Sequence, residues 1–177
     1  MASQQKRKFE NNAVFLKPKS TSIKKILEMN SIFNSDDNLQ LQKRIQQLSP
    51  TSKALWGTMN AAQMLSHCQA PLDLTFGTLT IKTNFIMRIV GKMLKNKVLQ
   101  GRSFKKNSPT VKEFIRSEHV SFDEAKKTLL ESLNFVLTEG EKAIKVKKHP
   151  FFGALTTEEW DALQYKHLNH HLKQFGV

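Results

Sequence analysis

The chain is poor in the residues that build disulfides, hairpins and membrane spans, and each shortage removes a class of protein. Cys68 is the only cysteine, so no intramolecular disulfide forms and a cysteine-based zinc module is excluded. Proline and glycine number five and seven in 177 residues, and neither Asn-Gly nor Asp-Gly occurs, so strand and hairpin signals are scarce. The longest apolar patch, "NFIMRIVGKML", is interrupted by Arg88 and Lys92 and falls short of the ~20 residues a bilayer span requires. The first twenty residues are polar and basic, without the apolar stretch of a signal peptide. The expectation is a cytoplasmic protein with no membrane span.

Acidic residues are also few: 15 stand against 28 Lys and Arg, a formal charge of +13. An excess of that size suits nucleic acid or an acidic membrane. The basic residues are nevertheless scattered from Lys6 to Lys173, and the densest run, "KAIKVKK", holds no aromatic to stack a base. A diffusely solvated basic surface fits that distribution better than a dedicated polyanion site.

What the sequence does have is helical periodicity. Past a polar segment over 1–20, one helical domain is expected over 21–177. "TSIKKILEMNSIF" reads as a short first helix through Ile23, Ile26 and Leu27. "SDDNLQLQKRIQQLSP" follows, with Ser35 as cap, two acids at the positive helix end, a Leu41, Ile45, Leu48 stripe, and Pro50 as stop. Asn60 caps a helix running to about Phe76, which Pro71 is expected to kink or divide. "TNFIMRIVGKMLKNKVL" reads as a basic amphipathic helix, with Arg88, Lys92 and Lys95 close to one face; a cover over one end of a bundle is the favoured reading, and a helix lying on an acidic membrane the alternative. If it lines a pocket mouth, Arg88 or Lys92 would attract an anionic substrate. Residues 101–120 read as a long ordered loop. Ser121 and Glu124 form a capping box before a stripe of Ala125, Leu129, Leu133, Val136 and Leu137. Thr156 and Glu159 form another before the last helix. The sum is an all-α fold, a four-helix bundle with an accessory helix and a long ordered loop.

The last helix ends "YKHLNHHLKQFGV", with three of the six histidines in five positions. Residues four apart share a helix face, so His167 and His171 lie together with Trp160, Leu163, Gln164 and Gln174. Two imidazoles at that spacing can chelate one divalent ion. His170 sits about 60° aside, on the flank. A third ligand is needed, and His67 in "NAAQMLSHCQA" is the best candidate, because its helix presents Met64, Ala61 and Ala70 to a core. Three histidines leave coordination positions open, as catalytic metals require. The plainer alternative is a pair of satisfied, partly exposed histidines near the end of the chain.

The remaining chemistry-bearing residues read mostly as packing. Cys68 is a small buried hydrophobe, His149 ties down a loop, and His119 lies on the surface. Trp56 and Trp160 are aromatic packing residues that could also wall a pocket. No carboxylate stands out as a general base: Asp73 lies about 120° around its helix from His67, and Glu158, Glu159 and Asp161 suit a helix N-terminus. His170, Gln63 and Tyr165 are candidates for supporting the ligands.

The blocks "LWGTMNAAQMLSHC" and "HPFFGALTTEEWDALQYKHLNHHLKQFG" resemble signature blocks of the DinB-like superfamily, in a branch known as a domain of unknown function. The resemblance runs from about Leu39 to the end and is least distinct around "IKTNFIMRIVGKMLKNKVLQ". It implies a DinB-like four-helix bundle, often a homodimer, with a divalent metal held by three histidines at His67, His167 and His171. It also implies a metal-dependent hydrolase or an S-transferase working with a low-molecular-weight thiol on a small-molecule substrate. Zinc, nickel and iron all suit imidazole ligands. The competing expectation, carried by the +13 charge, is a non-catalytic metal-binding or nucleic-acid-binding bundle.

Overall fold

The computed structural model describes residues 30–101, 103–115 and 119–177. The polar segment 1–20 and most of the expected first helix lie outside the described residues. Of that stretch Ile32 is seen, fully buried in the core. Five α-helices make up the described fold: α1 (Ser35–Gln46), α2 (Ala61–Phe76), α3 (Phe85–Gln100), α4 (Phe122–Glu139) and α5 (Thr157–Gln174). Short 3-10 turns occupy Lys112–Phe114 and Gly140–Ala143. A two-residue antiparallel pair, β1 (Lys148–His149) with β2 (Gly153–Ala154), is the one piece of sheet among the described residues. The fold is all-α.

Side-chain caps start each of the five described α-helices, and on α2 and α5 they set the register in which the histidines are presented. Asn60 and Gln63 form a reciprocal capping box on α2, Thr156 and Glu159 another on α5, and Ser121 accepts from Glu124 N–H on α4. On α1 the cap is Asn34 rather than Ser35: its Oδ1 accepts from Asp36 N–H and Asp37 N–H at 3.0 and 3.1 Å. Asparagine and serine cap equally well, and the extended residue is the one that becomes the cap. Pro71 does not divide α2, which continues to Phe76 and ends on Gly77 at φ 77°. The turn around Pro71 is braced instead. Thr75 Oγ1 donates to the Pro71 carbonyl at 2.9 Å, and Gln164 Nε2 on α5 reaches that carbonyl at 3.1 Å and Thr75 Oγ1 at 2.8 Å.

Helices α1 and α2 each pack against both α4 and α5, which closes the four-helix bundle. The core contains the stripes read from sequence on α1 and α4, Leu41, Ile45 and Leu48 with Ala125, Leu129, Leu133 and Val136, and adds Met64, Leu65 and Leu72 from α2 and Leu168 and Leu172 from α5. Truncating one of these to alanine should cost about 2–5 kcal/mol. The fully buried amide of Asn38 is matched across helices. Asn38 Nδ2 donates to the Ile32 and Leu133 carbonyls at 2.6 and 3.1 Å, linking α1 to α4.

Helix α3 lies outside the bundle, against α5 and β2. Gly91 permits the contact: a Cβ there would fall 2.3 Å from the Phe151 carbonyl oxygen. Lys95 bonds the Ala154 carbonyl and Glu159, both at 2.8 Å. Lys166 on α5 donates to the Val98 and Leu99 carbonyls at 2.6 and 2.7 Å, placing a cation at the negative end of α3.

The loop between β1 and β2 is held by His149. Its Nδ1 accepts from Phe151 N–H and Phe152 N–H at 3.2 and 3.3 Å, and its ring stacks on Phe152 at 4.5 Å. Burial lowers its pKa from 6.5 to about 4, so the folded protein takes up this proton later than the unfolded chain does. The resulting stability, on the order of 3 kcal/mol, is fully present above about pH 6.5 and is lost as pH falls toward 4. His149→Asn keeps an acceptor at that position but cannot titrate. Its loss of melting temperature between pH 7 and pH 4.5 should be smaller than that of the wild type, and an equal loss would remove His149 as the cause.

Candidate metal centre

Helices α2 and α5 bring His67, His167 and His171 into one cluster. Their ring centroids form a nearly equilateral triangle, 5.0 Å for His67–His167 and 4.6 Å for each of the other two sides. One nitrogen from each ring lies within 4.8 Å of the others. His67 and His171 are buried, and His167 is half-buried. The Gln164 bridge to Pro71 and the Leu168 and Leu172 contacts in the core hold the two helices in the register that makes the cluster.

Neighbouring groups decide which nitrogen of each ring carries its hydrogen. His67 Nδ1 lies 2.9 Å from the Phe114 carbonyl oxygen. A carbonyl only accepts, so Nδ1 is the protonated nitrogen and Nε2 keeps its lone pair. A relay sets His171. The Trp56 carbonyl requires a donor, so Gln174 turns its Nε2 there at 2.6 Å and presents Oε1 to His171 Nδ1 at 2.8 Å. His171 Nδ1 therefore donates, and its Nε2 too is left as a lone pair. Orienting acceptors of this kind are what metal-binding histidines normally carry.

His167 completes the arrangement. Its Nε2 lies 3.2 Å from His67 Nε2, and its Nδ1 is buried without a hydrogen-bond partner among the described residues. Two nitrogens bound to one ion at about 2.0–2.1 Å in tetrahedral geometry stand about 3.3 Å apart. Burial, and then the neighbouring His171, His67 and His170, hold the His167 pKa well below its ordinary 6.5. Burial, and after it His67, lowers His171 to about 3. Both are therefore neutral at neutral pH, the form in which imidazole binds metal. Among the described residues the cluster contains no carboxylate or thiolate.

A cavity of about 220 Å³ adjoins the cluster, lined by Trp56, Phe104, Lys106, Lys166, His170 and Lys173 among others. His170 stands between the two: it lines the cavity, and its ring lies 5.0 Å from that of His171. Phe104 meets both His167 and His170 edge-on, at 6.1 and 5.8 Å. Lys106 Nζ lies 4.2 Å from the centre of the Trp56 ring.

The other candidates stand elsewhere. Trp160 is buried with Leu74 and Ile81, away from the cavity lining, and Arg88 and Lys92 are exposed on α3. Gln63 serves the α2 cap through its bond from Asn60 N–H. Tyr165 packs against the main core, where burial raises its pKa. Cys68 is buried with its Sγ 3.6 Å from Met64 Sδ, and burial pushes its thiol pKa up. The supports that sequence reasoning missed are Gln174 and the carbonyls of Trp56 and Phe114. Gln174 shares the helix face of His171, three residues on, and that spacing was its only signal.

Fold and site together define a helical-bundle protein with a three-histidine cluster able to hold a metal ion. The chain belongs to the family described as protein of unknown function DUF1569, whose model matches residues 30–176. No curated protein and no solved structure matches it.

The hydrogen positions inferred above are directly measurable. Long-range nitrogen–proton NMR spectra of protein stripped with a chelator should show His67 and His171 as Nδ1–H tautomers at pH 7. Nε2–H signals at both would mean that the lone pairs do not converge.

Proposed function

We propose that the protein binds one divalent metal ion through His67, His167 and His171 and acts as a metal-dependent enzyme on a small anionic molecule. The observation that carries this reading is the convergence of three imidazoles, two of them turned lone pair inward by acceptors behind them and the third spaced for a shared ion. The arrangement fits the DinB-like kinship suggested by the sequence blocks, and with it a hydrolase or thiol S-transferase. Zinc, nickel and iron fit the donor set equally.

A bound ion supplies Lewis acidity, lowering the pKa of a water or thiol at the open side of the triad. The chain's own groups do the rest. Phe114 and Gln174 fix two imidazoles so that metal binding costs little reorganisation. Lys106, Lys166 and Lys173 give the cavity a positive field that favours an anion. Trp56 and Phe104 offer flat apolar faces to its remainder. At about 220 Å³ the cavity lies below the ~300–1,000 Å³ of drug-sized pockets, so the substrate is small. His170 faces both cavity and cluster and is the side chain best placed to exchange a proton with a bound molecule. Burial first, then His67 and Lys106, hold its pKa below 6.5, so it stands neutral and ready to accept.

Elemental mass spectrometry of the purified protein should find close to one divalent ion per chain, lost in a His167→Ala, His171→Ala double variant. A wild type that neither contains nor takes up zinc, nickel or iron would overturn the reading.

The relay behind His171 gives a finer test. Gln174→Ala should weaken metal binding by about 10–100-fold with the helical circular dichroism unchanged. Gly57→Ala should act the same way, because a Cβ there would fall 2.5 Å from Gln174 Nε2. Unchanged affinity in both variants would show that His171 needs no support.

A further inference from the structure

Helix α3 presents its apolar side to solvent. Phe85, Ile86, Met87, Ile89, Val90, Met93 and Leu94 are all exposed, with Phe85, Ile86 and Met93 at 75%, 69% and 78%. Only Gly91 and Leu99 are buried on this helix. At about 100° per residue, the exposed apolar residues cover roughly half of the circumference, on the side opposite Gly91 and Lys95, which face the protein. A continuous apolar face of this breadth marks an interaction site, and its width exceeds the narrow seam of a helix that pairs with another helix.

Charge selects the occupant. Helix α3 carries Arg88, Lys92, Lys95 and Lys97 and no acidic residue. Lys95 is engaged with Glu159 and Ala154. Arg88 and Lys92, both exposed, border the apolar arc on one side, and Lys97 stands near its C-terminal end. A second copy docked face to face would set these cations against their own like, with no acid on the helix to offset them. Residues 1–29 are a poor cover for the same reason, carrying seven Lys and Arg against two Glu. An apolar stripe bordered by Lys and Arg matches a bilayer surface, whose anionic headgroups lie above an acyl layer.

We propose that α3 seats the protein on an anionic lipid surface, with Phe85, Ile86 and Met93 inserted among the acyl chains and Arg88, Lys92 and Lys97 at the headgroups. The seat is rigid: Gly91 lets the helix lie close on Phe151, and Lys166 clamps its C-terminal carbonyls. Lys166 also lines the cavity beside the histidines, so one side chain of α5 touches both the lipid-facing helix and the cavity. The proposal does not depend on a metal being bound.

The full chain should co-sediment with vesicles of phosphatidylglycerol and phosphatidylcholine at low salt and not with phosphatidylcholine alone. Ile86→Glu, Met93→Glu should reduce that binding at least tenfold, with metal content and melting temperature unchanged. Ile86→Trp should show a blue-shifted indole emission on the anionic vesicles, the sign of insertion. Absence of binding to anionic vesicles would overturn the proposal. So would binding that the double variant leaves intact, which would be electrostatic adsorption elsewhere on the basic surface. A dimer in sedimentation velocity that the double variant dissolves would assign the face to a second copy and overturn it equally.

Discussion

Three imidazoles crowd around one point, and the bundle has to hold them there with the His67 and His171 lone pairs turned inward. That constraint organises the site. The restraint comes from two directions. Packing of α2 on α5 fixes where the rings are, through Leu65, Leu72, Leu168 and Leu172 and the Gln164 bridge to the Pro71 turn. Acceptors behind the rings fix which nitrogen faces inward. Neither suffices alone. Packing without the acceptors would leave the tautomers free, and acceptors without packing would let the helices slide until the lone pairs parted.

The long connection between α3 and α4 is part of the same restraint. It contributes the Phe114 carbonyl that orients His67 and the Phe104 ring that covers His167 and His170. A segment without a long helix thus supplies both a support and a wall. The stretch that ends in Gly57 plays the matching part on the other side, with the Trp56 carbonyl setting Gln174. Irregular backbone is suited to both tasks, because its carbonyls are not committed to a helical ladder.

Much of this was legible in the sequence, for physical reasons that differ from residue to residue. The stripes of α1 and α4 were readable because a buried helix face must repeat at 3.6 residues. His167 and His171 were readable as a pair because four residues make one turn, and His67 because its helix carries apolar neighbours. The tautomer-setting partners were not readable as such. Two are backbone carbonyls, which every residue has, and Gln174 gains its meaning only from Trp56, which is 118 positions away. The helix end near Phe76 was legible, and the division that Pro71 could have caused does not occur, because Gln164 braces the turn from another helix. Trp160 reads first as a packing residue, and it is buried in a small core with Leu74 and Ile81.

Helix α3 shows how periodicity can be read correctly and still leave its orientation open. Its amphipathic pattern is plain, and the ordinary inference turns an apolar face inward. Here, apart from the buried Leu99, the inward contacts are mainly polar or backbone: Lys95 to Glu159 and Ala154, Lys166 to two carbonyls, Gly91 against Phe151. Those contacts fix the helix without consuming its hydrophobic area, and glycine at position 91 is what makes so close a seat possible. Had α3 been a simple cover, burying its apolar arc would have stabilised the fold by about 25 cal/mol per Å². The protein forgoes that stabilisation and keeps the arc at the surface, on a helix clamped by Lys166, which also lines the cavity. An exposed hydrophobic face is a liability in water, so its retention on a helix docked by its polar edge points to a use outside the bundle.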